Sequence, residues 1–272
     1  MQLGHRLNPI VRQLEHLGQA TVRGLEELGG YAVLFGQSIY WIFAGYGLRQ
    51  PVRIGSIFAQ MMEIGIRALP IVGLLAAAIG VMLAIQGIHT LRIFGAESRV
   101  VIGISLSVTR EFAPLITGIL IAGRTGSALA ARLGTMTINQ EVDALTVMAI
   151  NPIRYLVTPS LIALAVMLPI LTFFSDLIGL VAAGLYVAAD LDLSFAAYTQ
   201  QTIDFLTVDD VMHGLGKSAI FGILIAIIGV ANGAAVTGGA EGVGRVTTRA
   251  VVQSITAIVL TDMLFAFVAT RV

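Results

Sequence analysis

The chain has no cysteine and a single lysine, Lys217, and only 12% of its 272 residues are charged. Without cysteine there is no disulfide framework, no thiolate metal site and no thiol nucleophile. The four histidines, His5, His16, His89 and His213, are scattered with no metal-ligand spacing. Acidic and basic residues number 16 each, so the balance indicates neither a basic face for nucleic acid nor a bulk electrostatic partner. Soluble domains carry about 25% charge. This chain carries half that, with 57% hydrophobic residues and a mean hydropathy of +0.90. A soluble enzyme and a disordered chain are excluded, and a polytopic helical membrane protein is indicated. Residues 1–28 hold Arg6, Arg12, Glu15, Arg23, Glu26 and Glu27 with no continuous apolar core, so no cleavable signal peptide is expected.

Five segments are long and apolar enough to cross a bilayer: about 68–91, 100–122, 156–189, 216–236 and 250–270. Their continuous rather than alternating hydrophobicity predicts helices, not a barrel. The third is over-long, which implies tilt or an extension past the lipid. A sixth stretch, 30–46, is about 17 residues long and rich in aromatics (Tyr31, Phe35, Tyr40, Trp41, Phe43, Tyr46), with arginine on both sides. It reads as an interfacial helix, the alternative being a short sixth span. With five spans and a cytoplasmic N-terminus, Arg6, Arg12, Arg23, Arg49, Arg53, Arg67, Arg124, Arg132, Arg154, Arg245 and Arg249 fall inside. Only Arg92, Arg99, Lys217 and Arg271 fall outside, and the outer loop 190–213 is acidic. This bias places the N-terminus in the cytoplasm and the C-terminus outside. The largest inside loop, 124–154, is too short to be an energy-converting domain, so such machinery is expected on another chain. No internal repeat is visible, which weakens the case for a secondary transporter.

Within that loop, Thr137 or Asn139 is placed to cap a helix running to about Met148, with Glu141 and Asp143 in its first turn. Val142, Leu145 and Met148 form an apolar stripe, and Asn151-Pro152 ends the segment. Such a helix either docks in a partner's groove or rests on the membrane interface. HGLGKS at 213–218 lacks the first glycine of a P-loop, because Val211 stands there. GGAEGVGR at 238–245 follows no strand and reads as a flexible turn between the last two spans. Gly123, Gly126 and Gly134, set among small residues, suit close helix packing.

Arg110 and Glu111 lie deep in the second span, where an ionisable residue costs about 2.5–3.5 kcal/mol on insertion scales. They point about 100° apart on a helix, so each needs its own partner. Arg110 lies about 14 Å from the outer end of its helix and Asp262 about 12 Å from the same side, so the two either pair across the helix interface or each face water or backbone carbonyls alone. Lys217, at the outer end of the fourth span, either snorkels or attracts a headgroup. Leu83, Gln86, Thr90 and Phe94 share one face of the first span beside Leu91, and Gln86 is polar at membrane depth. Asp176 has no assigned partner and is read as lying past the lipid on the over-long third span.

The motifs TREFAPLITGILIAGR, AGRTGSALAARLGTM, NQEVDALTVMAINPIRYLVTP and GGAEGVGRVTTRAVVQSI occur in this order from 109 onward. They resemble the MlaE-type permease family, and the likeness runs from about residue 60 to the C-terminus. The resemblance implies an all-α organisation: an N-terminal interfacial segment over 1–55 and a permease domain over 56–272. It implies the permease subunit of an ATP-driven phospholipid transporter in a bacterial inner membrane, working as a homodimer and performing no covalent chemistry itself. A cytoplasmic ATPase would hydrolyse ATP with magnesium, and no cofactor is expected on this chain. A periplasmic MCE-domain protein, a small STAS-domain protein and phospholipid complete the implied partners, in a system serving outer-membrane lipid asymmetry.

By the same resemblance, 135–148 is the coupling helix, with Asn139, Glu141, Val142, Asp143, Leu145 and Met148 meeting the ATPase. The lipid pathway is drawn from Leu83, Gln86, Thr90, Leu91, Phe94, Arg110, Glu111 and Lys217. One departure stands out: Arg132 occupies a position where the family pattern has glutamate. The rival reading is a stand-alone ion-coupled transporter or channel using Arg110, Glu111 and Asp262. A cargo-free membrane scaffold is a third.

Overall fold

A computed structural model describes residues 9–47 and 52–269, and they are almost wholly helical, with no strand among them. The first helix, α1, runs Pro9–Gly47 as one piece, so the aromatic stretch 30–46 is its second half. A shorter helix, α2 (Ile54–Gly65), precedes the first span, α3 (Leu69–Ile93). The second span is continuous over Glu97–Ile138. It consists of α4 (Val100–Ser107), α5 (Ala113–Ile121) and α6 (Ser127–Ile138), joined by π-turns at Val108–Phe112 and Ala122–Gly126. A short α7 (Glu141–Val147) leads through a further π-turn, Ile153–Val157, into α8 (Thr158–Asp190). The chain closes with α9 (Phe195–Phe205), α10 (Val208–Ala234) and α11 (Gly239–Ala269). Five helices are long and apolar enough to span a membrane, as the hydropathy predicts: Leu69–Ile93, Glu97–Ile138, Ile153–Asp190, Val208–Ala234 and Gly239–Val268.

The ends of these spans depart from the sequence reading for local reasons. The fourth begins at Val208 rather than near 216, because Thr207 and Asp210 form a reciprocal capping box. The fifth begins at Gly239: the chain turns through Gly238 and Gly239 at positive φ (+86° and +68°) and is helical from there. The predicted flexible turn over 238–245 is therefore mostly the first turns of α11. Gly242 packs so closely on the Thr237 carbonyl that a Cβ there would sit 1.9 Å from the oxygen.

The helices α8 and α10 form the centre. Around them pack α3, α2 and α5 on one side and α6 and α11 on the other. The α3–α8 crossing is tight at Gly80, where a Cβ would lie 2.1 Å from the Gly179 carbonyl oxygen. With no hydrophobic drive between helices in lipid, such small-residue contacts allow the dispersion packing that holds the bundle. One apolar cluster (Leu164, Leu168, Leu171, Phe221, Ile225, Ile258) fills the middle. A second (Ala84, Ile88, Val101, Ile104, Val187, Tyr198) lies at the end where Arg92 donates to Asp190 at 2.9 Å.

The helix α1 lies across the opposite end. Arg249 is ion-paired with Glu27, and the Tyr31 hydroxyl donates to Gln253 Oε1 at 3.0 Å. Fourteen residues on from Glu27, the Trp41 ring lies under the Arg154 guanidinium, 5.6 Å from its centroid. Gln253 is hydrogen-bonded to Asn232. Asn232 and Arg154 are each ten residues, about 15 Å, from the tight Gly222–Leu164 contact, in the same direction. The two contact points of α1, about 21 Å apart along its axis, thus meet the bundle at one depth.

Candidate functional site: a buried lysine in the membrane bundle

The site starts with Pro114. A proline has no N–H to donate and its ring displaces the carbonyl four residues back, so the Arg110 carbonyl has no partner at the usual helical position. The π-turn Val108–Phe112 forms there and presents Arg110 and Glu111 toward α10 and α11. Gly214 lets α10 approach: a Cβ at that position would lie 2.3 Å from the Thr109 carbonyl oxygen.

Lys217 is one turn further along α10 and its side chain is fully buried. Its ammonium donates to the freed Arg110 carbonyl (3.0 Å), to Glu111 Oε2 (2.7 Å) and to Asp262 Oδ1 (3.0 Å). These three acceptors use all three N–H donors of the lysine. The expected Arg110–Asp262 pair is not formed, because Lys217 holds Asp262. Arg110 pairs instead with Asp210, the capping-box residue of α10, which also accepts from the Thr207 N–H (2.8 Å) and hydroxyl (2.7 Å). Asp210 is 3% exposed whereas Arg110 is 48% exposed, so the guanidinium has further N–H groups open to a ligand. His213 stacks edge-on against Phe265 beside this cluster.

Lys217 is therefore neither snorkelling nor free to meet a headgroup. The helix begins nine residues before it, which sets it about 14 Å below the end of α10. Asp210 belongs to the first turn of α10 and not to the outer loop; the sequence signal for this is Thr207-x-x-Asp210 ahead of an apolar run. Asp176 also corrects the sequence reading. It is buried in mid-span of α8, about 21 Å from that helix's end, and neither carboxylate oxygen has a partner among the described residues.

The other predicted residues lie elsewhere. On α3, Leu83 and Leu91 are partly buried against the Ala84–Val100 cluster, while Gln86, Thr90 and Phe94 are exposed. Because α3 packs mainly on α8, this face is not brought to Lys217. The predicted 135–148 helix is two pieces. Its first four residues end the second span, the chain breaks at Gln140 (φ +59°), and α7 follows. Thr137 does not cap α7, since its hydroxyl donates back to Leu133; Asn139 donates to Glu141 at 3.2 Å. Leu145 and Val142 turn inward onto the core, whereas Asp143, Val147 and Met148 are exposed. Val142 and Leu145 thus anchor α7 to its own bundle, while Met148, the third residue of the predicted stripe, is left open with the opposite face.

Five helices long and apolar enough to span a membrane, a bundle closed at one end by an amphipathic helix, and a charged cluster inside it define a polytopic membrane protein. Residues 57–268 match the family described as Permease MlaE, and the chain belongs to that family. It is 34% identical over 248 residues to a probable ABC transporter permease protein of Rickettsia felis, covering 91% of this chain and 94% of that one. It is 40% identical over 209 residues to a probable ABC transporter permease protein of a Synechocystis species, covering 76% and 79%. The chloroplastic protein TRIGALACTOSYLDIACYLGLYCEROL 1 of Arabidopsis thaliana is 34% identical over 207 residues, covering 76% of this chain and 59% of that protein.

Proposed function

We propose that this permease carries phospholipid for an ATP-driven transporter, with ATP and magnesium bound by a separate cytoplasmic ATPase. The half-exposed Arg110 carries this reading. It is a guanidinium at membrane depth, held on one side by Asp210 and half-exposed on the other. A planar guanidinium is suited to bidentate recognition of a phosphate. Lys217, Glu111 and Asp262 form the tie beneath it and position the π-turn. Support for a lipid cargo comes also from the Arabidopsis relative, whose name contains that of a lipid.

In this proposal two copies meet around an apolar cavity whose polar rim is Arg110 and Glu111, with the α3 face of Leu83, Gln86, Thr90, Leu91 and Phe94 along the path. The open face of α11 (Val252, Val259, Met263) is available to a second copy or to lipid. The exposed side of α7, with Asn139, Glu141, Asp143 and Met148, contacts the ATPase, while Val142 and Leu145 hold α7 in place. The excess of positive charge at the Arg154 end supports an orientation with that end in the cytoplasm and the Arg92 end in the periplasm of a bacterial inner membrane. An MCE-domain protein receives or supplies lipid at the periplasmic end, and a STAS-domain protein binds the ATPase. ATP-driven motion of α7 reaches the cavity through the continuous helix 97–138.

The test is affinity purification in mild detergent from the native host, with mass spectrometry of the intact assembly. Equal copies of this chain and an ATPase are expected. A stable oligomer of this chain alone would overturn the reading and turn attention to ion coupling through Glu111 and Asp262.

A further inference from the structure

A second cationic site lies at the opposite end from Lys217. A cleft of about 130 Å³ runs between α2, α6 and the start of α8, lined by Gln60, Glu63, Ile64, Arg124, Arg132 and Ser160, among others. It opens into an adjoining space of about 250 Å³, bordered by Arg53, Gln60, Glu63, Arg132 and Tyr155. Three arginines therefore face one carboxylate, and Glu63 is also within 3.7 Å of Arg67. Arg124 Nη1 is buried with no acceptor among the described residues, an uncompensated donor on a charged group. Arg132 is exposed and has no ion pair there either. Arg53 is fixed at the mouth: it donates to the Tyr155 hydroxyl at 3.0 Å and lies 5.4 Å over that ring.

We propose that this cleft binds the phosphate of a phospholipid headgroup from the bilayer leaflet at the Arg154 end. The proposal rests on the phospholipid reading above and names the station at which the cytoplasmic leaflet meets the permease. Three features favour a lipid over an acidic segment of a partner protein. The deepest donor, Arg124, lies among apolar walls, Ile64, Leu129 and Leu164. The cleft-lining side of α2 (Ala59, Gln60, Glu63) adjoins, around the same helix, an exposed apolar side of Phe58, Met62 and Ile66 suited to acyl chains. Depth fits as well. Gly126, two residues from Arg124, packs on Ile225, nine residues before the end of α10, about 14 Å from the Arg154 end. Arg124 is thus the inner end of the cleft, and the exposed Arg132, eight residues and about 12 Å nearer that end along the same continuous helix, leads from it toward the interface.

A photoreactive benzoylphenylalanine at Ala128, which lines the cleft, tests this in the full chain with its partners, in nanodiscs holding equal amounts of phosphatidylglycerol and a phosphate-free galactolipid. Adducts are counted by mass spectrometry without ATP. Phosphatidylglycerol adducts should exceed galactolipid adducts by at least about tenfold, the factor one charge-assisted hydrogen bond confers. Arg124→Gln should abolish the preference. Arg132→Glu, a surface change that leaves folding intact, should reduce it severalfold, which keeps the test open if Arg124→Gln misfolds. Equal adducts in the unmodified background, a preference unchanged in Arg132→Glu, or adducts to the ATPase in place of lipid would each overturn the proposal. Loss of the lipid adducts in excess inorganic phosphate would overturn it too, by showing a site for a free anion. Occupancy is read without flux, so an empty cleft leaves the transport reading standing, and absent flux leaves the adduct result intact.

Discussion

Removing the Lys217 ammonium should be the most damaging change to the charged cluster in the membrane bundle. In Lys217→Met the aliphatic volume is kept and only the charge and its three hydrogen bonds go. Asp262, 15% exposed, then has no cation, and the Arg110 carbonyl has no donor because Pro114 cannot supply one. Removing one partner of a buried pair typically costs about 3–5 kcal/mol, because the other charge stays buried and alone. The same reasoning sets an order. Asp262→Asn leaves Lys217 bound to Glu111 and should cost about 1–3 kcal/mol. Glu111→Gln, at a side chain 40% exposed, should cost about 1 kcal/mol or less. In the double variant Lys217→Met with Asp262→Leu, the orphaned carboxylate is gone, and the loss should fall short of the sum of the single losses by about 1.5 kcal/mol or more. The assay is the fraction of monodisperse protein remaining after heating in detergent, read by size exclusion across a temperature series. Wild-type stability in Lys217→Met, or strict additivity in the double variant, would refute the assignment of Lys217 as the tie.

Three further outcomes follow from the same geometry. Gly80→Val should abolish the folded bundle, since even a Cβ would meet the Gly179 carbonyl at 2.1 Å; normal yield and a sharp size-exclusion peak would contradict the described α3–α8 crossing. Thr207→Val should cost about 1 kcal/mol through loss of the capping hydroxyl, seen as a lower heat-inactivation midpoint, while Thr207→Ser should not. Asp176→Leu should leave thermal stability equal or higher, because it removes a buried carboxyl with no partner among the described residues; a marked loss would mean that Asp176 has a partner in the assembled transporter.

Hydropathy alone located all five spans, because the requirement to satisfy every backbone group in lipid permits few alternatives. Depth arithmetic also put Arg110 and Asp262 at one level. It failed on the partner, since placing the start of the fourth span near 216 left Lys217 at the surface. The segment from Thr207 to Gly214 looks polar enough for a loop, yet its polarity is a capping box followed by a helix turn. The role of Pro114 was present in the sequence, four residues after Arg110, but which donor reaches a freed carbonyl is a tertiary fact. The Val142–Leu145 stripe was visible by spacing; that it faces its own bundle was not, because an apolar stripe fits either neighbour equally well. The cleft at Arg124 and Arg132 joins α2 to α6, two elements more than 60 residues apart, and no local pattern announces it.

The central claim is that ATP hydrolysed elsewhere moves lipid through this permease. The most direct measurement is transfer of a deuterated phospholipid between proteoliposomes bearing the purified assembly and acceptor vesicles, with ATP, with a non-hydrolysable analogue, and with a proton gradient alone. The account predicts transfer only with hydrolysable ATP, strongly reduced by Arg110→Ala in an assembly that remains intact. Transfer that follows the proton gradient and ignores ATP would contradict it.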